Sequence, residues 1–317
     1  MISHWDDVDA VHRGSGHISG HWQSLTGGTS ESVGVKRIRI DPGKWSTPLH
    51  LEGSEEEIFF VLDGSGVSVQ VDGSDEAAYA VGPGDCLVHL ALEHAHTLQA
   101  GPNGLVVLAF GERHYAANTL LPRAGVSWLG PTWVLEGSPD DHPWAREIAV
   151  GPPEVGQLSE RPARIVNVGD IEPRVREGET VARAVRDLGR AAGSEKTGLQ
   201  LFDIAPEKLV NPPHCHSAEE EIFIVLDGAG SLELWPNRRF GGGHETHAVR
   251  RGSVVARPAG TGRPHTFRAG DDGMQVLAYG TRDTRDVTFY PRSGKVSFRG
   301  VGLIGRLEVL DYWDGED

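Results

Sequence analysis

The stretch Glu55–Gly66, EEEIFFVLDGSG, returns at Glu219–Gly230 as EEEIFIVLDGAG. Ten of the twelve positions are identical at an offset of 164 residues, and a histidine precedes each copy at the same distance, His50 and His214. A repeat of this period marks a duplicated structural unit, and a His/Glu set carried twice makes metal binding the first reading of it. The likeness extends outward. Gly34 matches Gly198, Pro48-Leu49-His50 matches Pro212-Pro213-His214, Gly84-Asp85 matches Gly252-Ser253, and LAFGER at 108–113 matches LAYGTR at 277–282. The offset grows to 168 at Gly84 and to 169 at His96 and His265, the insertion falling in the loop that holds GGGHETH, 241–247. The equivalent halves run over 5–115 and 168–284.

Within each half the apolar pattern has a period of two. Segments such as VGVKRIRI, EIFFVLDG and LVVLAFG, and LQLFDIA, EIFIVLDG and MQVLAYG, read as short strands bounded by Gly, Asp and Pro turns. One stretch, TVARAVRDL at 180–188, is compatible with a helix. Forty-two glycines and 19 prolines support many short strands over long helices. The chain is therefore expected to be all-β, built of antiparallel sandwiches or barrels. Its 317 residues suffice for two cores.

A net charge of −15 without a basic stripe argues against nucleic acid and against an anionic membrane surface as partners. No apolar run approaches a bilayer span, and MISHWDDVDAV has no secretory pattern. The two cysteines, Cys86 and Cys215, cannot make a disulfide framework and suit a reducing compartment, so a cytoplasmic location is expected. Arginine outnumbers lysine 25 to 5, a bias that fits a GC-rich bacterial genome. No nucleophile elbow, phosphate-binding loop or dinucleotide fingerprint is present.

The second copy reads His214-x-His216-x4-Glu221-x6-Gly228, then Pro258-x-Gly260-x4-His265. This resembles the two signature motifs of the cupin superfamily, and finding it in both halves makes the chain resemble a bicupin. The resemblance implies tandem double-stranded β-helix (jelly-roll) barrels, with a metal ion inside and His214, His216, Glu221 and His265 as its ligands. On a strand His214 and His216 share a face while Cys215 points the other way, as a packed thiol. Three imidazoles and one carboxylate suit a divalent transition metal such as Fe, Mn, Ni or Zn. The first copy departs from the pattern: it reads His50-x-Glu52-x4-Glu57-x6-Gly64, lacks the Pro-x-Gly piece, and offers His94 or His96 later. Alignment through the following Thr favours His96, giving His50, Glu52, Glu57 and His96 as an N-terminal set that is harder and more negative. The expected organisation is an N-terminal barrel at 1–121, a Pro/Gly/Trp-rich connector with little regular structure at 122–163, and a C-terminal barrel with a strand-like tail at 164–317. That tail is expected to dock on a barrel, that of its own first domain or of a partner subunit.

Other charged residues receive bland readings. Glu55, Glu56, Glu219 and Glu220 read as solvated turn charges, His244 and His247 as surface residues, and His89 as packed in a strand, while His142 has no spacing that supports a role. Arg37, Arg39, Arg257, Arg263 and Arg268 would each supply a cation for a substrate carboxylate or phosphate if turned into a barrel. No catalytic base is assignable. The resemblance implies a metal-dependent enzyme, dioxygenase- or decarboxylase-like, acting on a small organic molecule in the C-terminal barrel. The alternatives are a sugar or sugar-phosphate isomerase or epimerase, and a non-catalytic binding or storage bicupin. A monomer or a homodimer is expected, the dimer preferred.

Overall fold

The computed structural model describes residues 2–114, 116–129, 132–134, 144–237 and 241–316. Two eight-stranded antiparallel sheets, one per half, carry the repeat. In the first, Glu57–Asp72 lies between Asp85–His89 and Ala95–Glu112, and the sheet continues through Val33–Ile40, Ile18–Ser24 and Val11–Ser15. In the second, Glu221–Leu234 lies between Ser253–Arg257 and His265–Thr281, continuing through Thr197–Ile204, Arg183–Asp187 and Arg174–Arg176. The central strands are long enough to curl, and they bend where the repeat block ends. The pairing of Glu57–Asp72 with Ala95–Glu112 slips at Val61/Asp63 and again at Gly64/Gly66. Gly64 and Gly228 sit there at φ 82° and 74°. A Cβ on either would strike the carbonyl of Gly104 or Gly273. The glycine that closes each motif is thus the bend that turns a strand into a barrel wall.

Each half also carries a four-stranded sheet, and in both an end strand is a piece of the His/Glu motif. Leu51–Glu52 pairs with Asn118–Leu121, which continues to Val126–Leu129 and Thr132–Val134. Cys215–His216 pairs with Val287–Tyr290, which continues to Lys295–Phe298 and Leu303–Arg306. The expectation that the tail docks on the first domain is corrected: the tail pairs with Cys215–His216 of its own half, whose short strand offers it a free backbone edge. The connector holds more regular structure than its composition predicts, because Val126–Leu129 finds backbone partners in the strand before it and Trp144–Val150 forms a helix. Its residues 135–143, His142 among them, lie outside the described residues. The stretch 180–188 is not a helix. Arg183–Asp187 pairs with Gln200–Ile204 as a strand, and only Leu188–Ala191 is helical. Ladder partners here override a weak helical preference.

The halves exchange their leading strands. Ile2–His4 pairs with Ser253–Val255 of the second sheet, and Ile165–Asn167 pairs with Asp85–Leu87 of the first. A single apolar cluster spans the seam, with Val35, Ile58, Phe60 and Phe110 from one half packed with Leu199, Ile222, Leu277 and Tyr279 from the other. Phe110 and Tyr279, equivalent in the repeat, meet with ring centroids 4.9 Å apart. Glu56 and Glu220 close over this seam and are almost fully buried. The reading of these two as solvated turn charges is corrected. Glu56 accepts hydrogen bonds from the hydroxyls of Ser194 and Thr197 and from the amides of Glu195, Lys196 and Thr197. Glu220 accepts from the hydroxyls of Ser30 and Ser32 and from the amides of Glu31 and Ser32. Among the described residues no helix is long and apolar enough to cross a membrane.

Candidate metal centres

Both centres are assembled the same way. In the C-terminal barrel the backbones of His214 and His265 exchange a pair of hydrogen bonds, 3.1 and 2.8 Å, which sets the two rings side by side with centroids 5.2 Å apart. Glu221, at the head of its strand, faces them: its Oε2 lies 3.2 Å from His265 Nε2 and 3.6 Å from His216 Nε2. His214, Glu221 and His265 offer ligand atoms that converge on one point. His214 Nδ1 donates to the Pro212 carbonyl at 2.9 Å, which leaves Nε2 as its free lone pair. His216 Nδ1 is held by Asp286 at 2.8 Å, which likewise frees its Nε2. His216 Nε2, Glu221 Oε2 and His265 Nε2 are all buried and lack an aligned hydrogen-bond partner. Three orphaned donor atoms aimed at one another are costly in a dry interior unless a cation satisfies them. The residues fit a divalent metal.

The electrostatics divide the set: His214 and His265 are held neutral, whereas His216 holds a proton that a bound cation would displace. Burial alone would raise the Glu221 carboxyl, but the charge of His216 and the contact with His265 outweigh it and hold the carboxyl well below its usual range. Burial alone would lower His216, yet Glu221 and then Asp286 push it up to about 9. Burial pulls His265 down to about 4 and also lowers His214, keeping both rings neutral and able to ligate. Cys215 is buried on the opposite face of the strand, where desolvation raises its thiol to about 11.

In the N-terminal barrel His50, Glu57 and His96 converge in the same way. His50 and His96 exchange backbone hydrogen bonds, and His96 Nε2 lies 3.0 Å from Glu57 Oε2. Glu52 stands 3.9 Å from His50 Nε2 and accepts a hydrogen bond from Thr119 Oγ1 at 2.8 Å. Burial first, and Glu57 second, raises Glu52 to about 7, while Glu57, against the opposing effect of its own burial, is held well below the usual range by His50 and His96. Of the two alternatives raised by the sequence, His96 reaches the centre; His94 instead contacts His89 at 2.9 Å. His89 lies inside the barrel, not merely packed: its ring stacks on His96 at 3.7 Å. Burial keeps it neutral. The signal for it was cross-strand register, since His89 sits opposite Glu57 and directly opposed residues share a face.

The same register decides among the arginines. Arg257 sits opposite Glu221 and so faces the interior of the second barrel, at the place His89 holds in the first. It is mostly buried, its Nη2 donates to the Arg263 carbonyl at 2.7 Å, and its Nε has no partner. Arg263 and Arg268 are engaged with Glu245 and Glu233. Arg37 lies over the ring of Trp5 at 4.5 Å, and Arg39 is exposed. Sequence reasoning missed Asp286, which lies beyond the repeat boundary drawn from the motifs. His244 is exposed, and His247 lies on the strand Glu245–Arg250, where its ring contacts Glu245. Glu219 is buried as well, accepting from the Asp283 amide and Arg299.

Comparison with known proteins bears on the fold. A family model described as a cupin domain matches residues 200–279. No curated protein matches the chain. Among solved structures, oxalate decarboxylase of Bacillus subtilis at pH 4.6 superposes with a TM-score of 0.61 at 18% identity, covering 89% of this chain and 76% of that one. Oxalate decarboxylase of Lactobacillus farciminis in a formate complex gives a TM-score of 0.60 at 16% identity, covering 89% and 86%. A further structure of the Bacillus subtilis enzyme, concerned with its Mn(II) centres, gives 0.60 at 17%, covering 90% and 78%. The chain thus carries a match to a cupin domain at 200–279 and shares the two-barrel fold of these structures.

Proposed function

We propose that the chain is a metal-dependent, decarboxylase-like enzyme acting on a small carboxylic acid inside the C-terminal barrel. The observation that carries this reading is the pairing of the unpartnered donor set with Arg257 on one inner wall. His214, His216, Glu221 and His265 would hold the ion, and a divalent ion there supplies a Lewis acid for a substrate oxygen. Arg257 brings a fixed guanidinium with spare donors, suited to a carboxylate. The apolar wall formed by Phe223, Val225, Val255 and Phe267 limits water around both. The solved relatives named as oxalate decarboxylases support this class, and the one studied for its Mn(II) centres makes manganese the first ion to test. The N-terminal set, His50, Glu52, Glu57 and His96, would form a second and more anionic centre.

The test is metal analysis of the purified protein, followed by CO2 release and O2 uptake across short mono- and dicarboxylic acids, catechols and flavonols. Release of CO2 without net consumption of O2 is expected. Stoichiometric O2 uptake would make the protein an oxygenase. Absence of turnover with tight metal and ligand binding would make it a binding bicupin.

A further inference from the structure

The two centres differ at one ligand position, and the difference extends one layer outward. Glu52 pairs in register with Thr119, and His216 with Thr288, so 52 and 216 are equivalent and so are 119 and 288. Two residues before each threonine stands Ala117 in the first half and Asp286 in the second. Asp286 is fully buried. Its Oδ2 takes His216 Nδ1 at 2.8 Å and Thr288 Oγ1 at 3.0 Å. Its Oδ1 takes the amides of Ala218 and Glu219 at 3.0 and 3.3 Å. In the first half Thr119 reaches Glu52 itself, and Ala117 contributes no polar group. The same threonine thus steadies a carboxylate in both halves, at the ligand position in one and behind it in the other. Apart from Glu219, which lies 3.7 Å from His216 Nδ1 and pairs with Arg299, the second centre holds two carboxylates, Glu221 and Asp286, as the first holds Glu52 and Glu57. Asp286 is not itself poised as a ligand, because its oxygens are already committed to five donors, the Ser217 hydroxyl being the fifth at 3.5 Å.

We infer that Asp286 is a positioning residue that makes His216 a metal ligand, and that Glu52/Ala117 and His216/Asp286 are exchangeable modules setting the metal affinity and preference of their barrels. The inference rests on the metal reading given above. Asp286 fixes the proton of His216 on Nδ1 and leaves Nε2 as the lone pair facing Glu221, the outer-layer role that carboxylates play behind metal-bound histidines. Its removal frees the ring to change tautomer and orphans two amides. A glutamate at 216 with Asp286 still present crowds three carboxylates around one ion. Either single change is therefore worse than both together.

The experiment uses the full chain with the first centre disabled by His50→Ala and Glu57→Gln. Into this background go Asp286→Asn, Asp286→Ala, His216→Glu and the pair His216→Glu/Asp286→Ala. Affinity for Mn(II) and Zn(II) is measured by chelator competition, the Mn(II) environment by electron paramagnetic resonance, and folding by thermal denaturation. Asp286→Asn keeps an acceptor for the two amides and serves where the alanine variant does not fold. The Asp286 variants are expected to bind Mn(II) about 10- to 100-fold more weakly. His216→Glu alone is expected to lose at least as much. The pair is expected to recover to within about tenfold of the background and to shift towards Mn(II) over Zn(II), as a harder donor set does. Unchanged affinity in folded Asp286 variants, or a pair no better than the worse single change, overturns the inference and leaves the metal reading intact. A background protein that binds neither ion overturns both.

Discussion

Glu56 and Glu220 occupy equivalent positions in the two halves, and each buries its carboxylate over a loop of the other half: Glu56 over 194–197, Glu220 over 30–32. The arrangement is reciprocal, so the seam is closed by the same device twice. Every donor involved is a hydroxyl or a backbone amide, with no cation among them, so the contact works by hydrogen bonding to a charge. Glu56→Ala leaves three amides without partners and is expected to destabilise the protein by about 2–4 kcal/mol. Glu220→Ala should cost a similar amount. Differential scanning calorimetry should show one transition displaced downwards in both variants. Two separated transitions would mean that the halves melt independently of the seam.

Acid should loosen the same contact. Burial on its own would raise both carboxyls, but the Ser and Thr hydroxyls and the amides overcome it and lower Glu56 and Glu220 below their ordinary value of 4.5. A depressed folded pKa contributes stability that is fully present above the unfolded value and is lost as pH falls through the folded one. Stability is therefore expected to decline as pH drops below about 4.5, and the Glu56→Gln/Glu220→Gln variant should show a shallower acid slope. Urea midpoints between pH 3 and 6 provide the measurement; parallel slopes for the two proteins would remove these carboxyls as the cause.

Strand exchange makes a further demand. A fragment ending at 121 lacks Ile165–Asn167, which pairs with Asp85–Leu87, and a fragment beginning at 164 lacks Ile2–His4 and the buried Trp5. Each would also expose its side of the apolar seam. Neither fragment is expected to melt cooperatively alone, whereas co-expression should give a soluble pair. A sharp thermal transition from either fragment by itself would show that its barrel is self-sufficient.

Much of the site was legible because ligand spacing is local. His214, His216 and Glu221 lie within eight residues, and the period of a strand decides which of them share a face. What escaped depended on distant partners. A glutamate beside a turn is ordinarily solvated, and nothing near Glu56 announces that Thr197 will cover it. Arg257 was left undecided because its direction follows from register with Glu221, 36 residues earlier, and register is set by the whole sheet. Residues 180–188 went astray for the same reason, their fate being fixed by the neighbouring strand. Asp286 was the nearest miss, since comparison with Ala117 was open to anyone who carried the repeat past its last motif.

Arg257 yields the sharpest functional prediction. It lies on the inner wall with a buried Nε that has no partner, and no described carboxylate forms an ion pair with it. A guanidinium desolvated in this way gains most when a ligand brings the missing anion. Arg257→Ala should leave metal content unchanged, because His214, His216, Glu221 and His265 remain in place. It should raise KM for the carboxylic acid by about 10- to 100-fold, the loss of about 1.5–3 kcal/mol expected for a charge-assisted hydrogen bond. Arg257→Lys should recover part of the affinity, since it restores the charge without the planar fork. The converse change, His89→Arg in the first barrel, places a guanidinium opposite Glu57 and should create weak binding of the same acid there. Steady-state kinetics and calorimetric titration on metal-loaded protein read both effects. If Arg257→Ala binds the acid as tightly as the parent, the carboxylate is held by another group and the inner wall of the second barrel has been assigned the wrong role.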